Sequence, residues 1–121
     1  MLKNIILIFI GGGLGSVFRF LISKIDTFEN SFPYGTLFVN ILGSFILGLI
    51  MGSYLKNTNI NPNYIIFFGT GFCGGFTTFS TFSDQSLRLL NSGNIFIFFL
   101  FISLSLLLGI SAVYLGYFLS K

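Results

Sequence analysis

Histidine and tryptophan are missing from this chain, and acids are scarce: three carboxylates against six basic residues in 121 positions. Without histidine, and with a single cysteine, the side chains offer no metal-chelating cluster and little for acid–base catalysis. No nucleophile–base pair stands out, so an enzyme is not expected. Cys73, being alone, forms no internal disulfide and implies no oxidising compartment. Only 7% of the residues are charged, where a soluble domain carries roughly 25%. Too little polar surface remains to wrap a water-soluble core. The net charge of +3 is dispersed rather than clustered, so nothing calls for nucleic acid as a partner.

What is present is apolar. Hydrophobic residues make up 54% of the chain and phenylalanine alone occurs eighteen times, the composition of an integral membrane protein of one domain, 1–121. Met1 to Ser16 superficially resembles a secretory signal, with Lys3 ahead of an apolar run. The run is short, no Ala-x-Ala site follows it, and three more spans come after it, so it reads as a retained first helix. The expected fold is all-α, with transmembrane helices at about 3–24, 33–55, 62–90 and 95–119, each covering the roughly 20 residues a bilayer core requires. Ser31 and Asn61 precede Pro33 and Pro62, a cap-then-proline opening for helices two and three. Polar loops join the spans: Asp26, Thr27, Glu29 and Asn30, then Lys56 to Asn61, then Asn91 to Asn94. The third segment is too long, since a continuous helix there would measure about 43 Å. Its glycines and threonines, Gly71-Phe-Cys-Gly-Gly-Phe-Thr-Thr-Phe-Ser-Thr-Phe-Ser83, predict a break near 74–77. Irregular backbone at that depth survives only against protein or a hydrated cavity, and broken helices are a known way to build an ion site in a bilayer.

Lys3, Lys56 and Lys121 fall on one side of such a bundle. Lys24 and Arg88 fall on the other, with Arg19 in snorkelling reach. Orientation follows the Lys/Arg imbalance of short loops, and here the imbalance is close to nil. Either Lys3 alone decides orientation, or copies insert both ways up and pair as an antiparallel homodimer.

Thr36, Asn40, Ser44, Gly48 and Gly52 recur at intervals of four on helix two, and Ser105, Gly109, Ala112 and Gly116 do similarly on helix four. Small residues at this spacing ordinarily serve close helix packing. Asn40 is different: an amide two turns inside the membrane is a functional candidate, although a helix-to-helix hydrogen bond would also explain it. Thr36 continues its path. Neither changes charge at physiological pH, so Asn40 acts as a hydrogen-bond donor. Arg19 reads as an interfacial anchor or as the mouth of an anion path. Asp84 and Arg88, four apart, read as a local ion pair. Ser103, Ser105 and Ser111 stand in helix four, where hydroxyls commonly bond back to their own backbone.

Phe79 and Phe82 share a face just after the break. Their simplest reading is packing, but aromatic edges are positive and an anion can rest on them. Ring edges, amide N–H and hydroxyls with no fixed cation would admit a small anion and release it. On the other side of the break, carbonyls of residues 74–77 lose helical partners. Converging from two copies, they would make a hard-oxygen site for a cation such as Na⁺, unless Thr or Ser hydroxyls satisfy them.

Gly11-Gly-Gly-x-Gly-Ser-x-x-Arg19, Gly35-Thr-Leu-x-Val-Asn40 with Gly43, and the Gly71–Ser83 stretch together resemble the Fluc (CrcB) fluoride channel family, in order and across three of four helices. Phe76 stands where Leu is expected, and helix four carries no motif. The resemblance implies a dual-topology homodimer in the cell inner (cytoplasmic) membrane, with two antiparallel pores that export fluoride passively and so lower its toxicity. It implies that Asn40, Phe79 and Phe82 contact the ion, with Thr36, Ser80 and Thr81 as nearby hydroxyls. It also implies a structural Na⁺ at the dimer centre, held by the carbonyls of Gly74 and Thr77 from both subunits. Two rival readings are a proton-coupled small multidrug exporter, which needs a membrane-buried carboxylate that helix one lacks, and a structural membrane protein, which leaves Asn40 and the threonines unexplained.

Overall fold

The computed structural model describes residues 1–26, 31–57 and 59–121. Thr27, Glu29 and Asn30 of the first polar loop, and Thr58 of the second, lie outside them. Among the described residues every regular element is helical. Helix α1 spans Leu2–Ser23 and α2 spans Tyr34–Lys56. The third span opens with one turn, α3 (Pro62–Tyr64), and widens into a π-helix (Ile65–Cys73). It then closes with α4 (Gly74–Phe76), breaks, and resumes as α5 (Ser80–Asn91). Helix α6, Ile95–Ser120, completes the chain. Among the described residues four stretches have the length and hydropathy of membrane crossings: Leu2–Ser23, Tyr34–Lys56, Pro62–Asn91 and Ile95–Ser120.

Helix starts follow local chemistry, with one surprise. Asn61 Oδ1 accepts the Asn63 N–H at 3.0 Å, ahead of Pro62 in the first turn, and so satisfies one of the orphan donors there. At α2 the cap position is Pro33, and the side chain that takes a first-turn N–H is Asp26, whose Oδ1 accepts from Gly35 at 2.9 Å. A carboxylate is well suited to the positive end of a helix, where it makes a charge-assisted hydrogen bond. Between α5 and α6, Gly93 takes φ 84°. Its N–H returns to Leu90 O at 3.2 Å and that of Asn94 to Leu89 O at 3.0 Å, the Schellman closure that glycine permits.

Two glycine seams hold the helices. On α1, a Cβ at Gly11 would collide with Phe67 O, and one at Gly15 with Phe72 O and the Phe76 N–H. Gly11 and Gly15 are one α-turn apart, while Phe67 and Phe72 are one turn apart in the wider π winding. The two repeats therefore match, carbonyl into notch. The second seam joins α2 to α6: Gly48 lies flush on Val113 O and Tyr117 N, and Gly116 on Phe45 O and Leu49 N. Bare backbone on both sides gives the dispersion contact on which helix association in lipid depends.

The break falls at Thr77–Phe79, later than the expected 74–77, and Gly74, Gly75 and Phe76 are helical. The displacement has a physical cause. Gly75 is needed for packing, since a Cβ there would strike Gly12 O. The chain leaves the helix instead at Thr77, φ −84° and ψ 160°, where β-branching and hydroxyls favour extended backbone.

Candidate site at the helix break

Four backbone groups around the break have exchanged their helical partners for side chains. Asn40 of α2 meets Thr78 twice: its Oδ1 accepts the Thr78 N–H at 2.8 Å and its Nδ2 donates to Thr78 O at 3.1 Å. An N–H can only donate, so this pairing fixes which way the amide faces. In a continuous helix the Thr78 N–H would have gone to Gly74 O. The Thr81 N–H would have gone to Thr77 O, and it goes to Thr78 Oγ1 at 3.1 Å instead. The carbonyls of Gly74 and Thr77 are thereby released from the ladder. Gly75 O is treated differently: Arg19 Nε donates to it at 3.0 Å and Ser16 Oγ at 3.5 Å. Cys73 O keeps two donors, the Thr77 N–H at 3.0 Å and the Thr77 Oγ hydroxyl at 2.8 Å.

Two open clefts adjoin this knot. One, of about 490 Å³, is lined by Gly74, Thr77 and Cys73 among others. The other, of about 600 Å³, is lined by Phe82, Ser86 and Ser105 among others. Asn40, Ser44, Thr78 and Phe79 line both and form the wall between them. No residue lining the larger cleft carries an ionisable side chain. The cleft thus offers dipoles only: amide, hydroxyls and ring edges.

The rings are held from α6. Phe82 lies 5.0 Å from Phe101 at 59°, and Phe101, fully buried, is met edge-on by Phe32 at 5.7 Å. Phe79 lies 5.9 Å from Phe82 at 55° but is 81% exposed. A large apolar ring standing clear of its own subunit at mid-span is a surface waiting for protein or lipid.

Asn40, Phe79 and Phe82 are thus brought together at one cleft. Thr36 is buried at 3% exposure and lines neither cleft. Ser80 and Thr81 open α5, with Ser80 Oγ 3.4 Å from Thr78 Oγ1, and they line neither cleft. Arg19 reaches inward to Gly75 O rather than along a membrane surface. Thr78, part of the Gly71–Ser83 stretch but not among the site residues expected from it, is the centre of the arrangement; nothing linear links residue 78 to residue 40. Ser105 joins the larger cleft with a buried hydroxyl that has no hydrogen-bond partner, whereas Ser103 and Ser111 are exposed.

Four apolar crossings, the third interrupted and knotted to the second by an uncharged amide, define a small multi-pass membrane protein built around a discontinuous helix. The chain belongs to the CrcB-like family: the family described as CrcB-like protein, Camphor Resistance (CrcB), matches residues 6–117. It is similar to a protein of Azobacteroides pseudotrichonymphae named fluoride-specific ion channel FluC, 46% identical over 100% of this chain and 98% of the relative. Proteins of the same name from Pyrococcus horikoshii, covering 98% of this chain and 97% of the relative, and from Campylobacter jejuni, covering 100% of each, are also 46% identical.

Proposed function

We propose that this chain is a fluoride channel, conducting passively across the cytoplasmic membrane and lowering intracellular fluoride. The observation that carries the reading is the full-length likeness to proteins named as fluoride-specific channels. The chemistry of the larger cleft agrees with it. A small halide loses most of its water shell on entering a narrow path. Asn40 retains one Nδ2 hydrogen beyond the one given to Thr78, Ser105 keeps an unpartnered hydroxyl, and Phe79 and Phe82 present positive ring edges. These groups replace hydration without fixed charge, so the ion is admitted and also released.

The functional unit is an antiparallel homodimer with two pores. The near-even distribution of Lys and Arg supports insertion both ways up, and the exposed Phe79 ring gains cover from a second copy. The released carbonyls of Gly74 and Thr77 fit a structural Na⁺, because they are hard oxygen donors freed by diversion of the Thr78 and Thr81 N–H groups. When bound, Na⁺ would offset the partial negative charge of the carbonyl end of α4. The exporter reading needs an acid buried within a span; among the described residues Asp84 is exposed and paired with Arg88 at 2.9 Å, and Asp26 stands after the end of α1, where it accepts from Gly35 at the start of α2.

Liposomes loaded with fluoride and opened with a potassium shunt test the reading. Rapid fluoride efflux is expected, with none for chloride. Replacing Asn40 by Leu removes a hydrogen bond to a charged ion, which predicts efflux about 10- to 150-fold slower. Vesicles no leakier to fluoride than empty ones, or full activity after replacing Asn40, Phe79 and Phe82 together by Leu, would sink it.

A further inference from the structure

Asn40 stands in the wall common to both clefts, and its amide has two faces. Its Oδ1 occupies the Thr78 N–H at 2.8 Å and so denies that donor to Gly74 O. Its Nδ2 spends one hydrogen on Thr78 O at 3.1 Å and keeps a second. Without the amide oxygen, the Thr78 N–H has an obvious alternative four residues back. Recapture by Gly74 O would extend the helix by one residue and remove a carbonyl from the cation donor set.

We propose that Asn40 is a positioning residue for the Na⁺ site as well as an anion donor, keeping the Gly74 carbonyl available by holding Thr78. This rests on the sodium reading above. One side chain then serves both ions, and such coupling is reciprocal: occupancy by either shifts the affinity for the other. The oxygen and nitrogen of one amide carry the two halves of the coupling, so substitution can separate them. Asp at position 40 keeps the acceptor for Thr78 and loses the donor. Leu loses both.

The test is thermal unfolding of the purified protein in detergent, titrated with Na⁺ at constant ionic strength against N-methylglucamine. Wild type is expected to rise in midpoint with Na⁺, because a cation bound only by the folded dimer stabilises it. Asn40→Leu should need about 5- to 150-fold more Na⁺ for the same rise, since each copy must first break the recaptured hydrogen bond. Asn40→Asp should show the same rise at or below the wild-type Na⁺ concentration while conducting no fluoride. A general structural defect would lower every midpoint without moving the Na⁺ dependence. Should Asn40→Leu not fold, Asn40→Ser makes the same comparison, its hydroxyl being one bond short of Thr78. A wild-type Na⁺ dependence in Asn40→Leu (or Ser), or a shift in Asn40→Asp as large as in Leu, overturns the proposal and leaves the sodium reading standing. A wild type indifferent to Na⁺ overturns both.

Discussion

The two halves of the third span are held in opposite ways. The first half, Pro62–Phe76, is fixed from outside: Phe67, Phe72 and Gly75 lie against Gly11, Gly15 and Gly12 of α1, and Gly75 O is held by Arg19 and Ser16 of the same helix. The second half, Ser80–Asn91, satisfies several of its polar side chains within itself. Ser83 Oγ donates to Phe79 O at 2.9 Å, Ser86 Oγ to Phe82 O at 2.7 Å, and Arg88 pairs with Asp84. Helix α1 therefore acts as a template for the carbonyl end of the break, whereas the exposed face of α5 has little to transmit. Substitutions on α1 should reach the site from a distance, and those on the outer face of α5 should not.

The strongest way to break this contrast is to fill the notch. Gly15→Ala places a methyl group against Phe72 O and the Phe76 N–H, and overpacking of this kind costs about 1–3 kcal/mol. It should lower the unfolding midpoint in detergent and slow fluoride efflux from liposomes. Gly13→Ala is the control, two residues away on the same helix with open space around its Cβ; its effect should be no more than about 1 kcal/mol of either sign. Equal losses in the two variants would mean that the seam is not what places the break.

A smaller effect is expected from Arg19→Lys. The charge stays, but the Nε–H that reaches Gly75 O at 3.0 Å is lost, and an ammonium does not reproduce that planar donor. Loss of one such hydrogen bond is worth about 0.5–1.5 kcal/mol. Efflux should fall by up to about tenfold at that magnitude, with orientation in the membrane unchanged by terminal labelling. An effect confined to orientation would return Arg19 to the role of an interfacial anchor.

How much of this was readable in advance depends on whether the determining contact is local. The four crossings and the Asn61–Pro62 start are local properties of hydropathy and capping, and the sequence carries them openly. The existence of a break was legible from glycines and threonines at mid-span, but its position was misread by a few residues, because composition does not say which glycine packs and which bends. Gly75 packs. Thr77 bends. Asn40 stood out as a polar group in an apolar helix, yet its partner lies 38 positions away, a distance no periodicity can express. The π winding left no sign, since its reason is the fit of Phe67 and Phe72 to two glycines on another helix. The first-turn acceptor at the start of α2 was missed for a similar reason: Asp26 lies nine positions before the Gly35 N–H that it accepts.

The smallest effect belongs to the pair that looks most like an interaction. Asp84 and Arg88 meet at 2.9 Å, yet both side chains are more than half exposed, at 56% and 57%. Water and salt screen such a pair, and exposed pairs of this spacing contribute at most about 0.5 kcal/mol. Asp84→Asn should therefore leave the unfolding midpoint, the Na⁺ dependence and fluoride efflux at wild-type values within error. Its value is as the far end of the contrast. A loss of conduction in Asp84→Asn without a loss of stability would show that the outer face of α5 does communicate with the cleft. Control of the break would then have to be shared between both halves of the span instead of residing on α1.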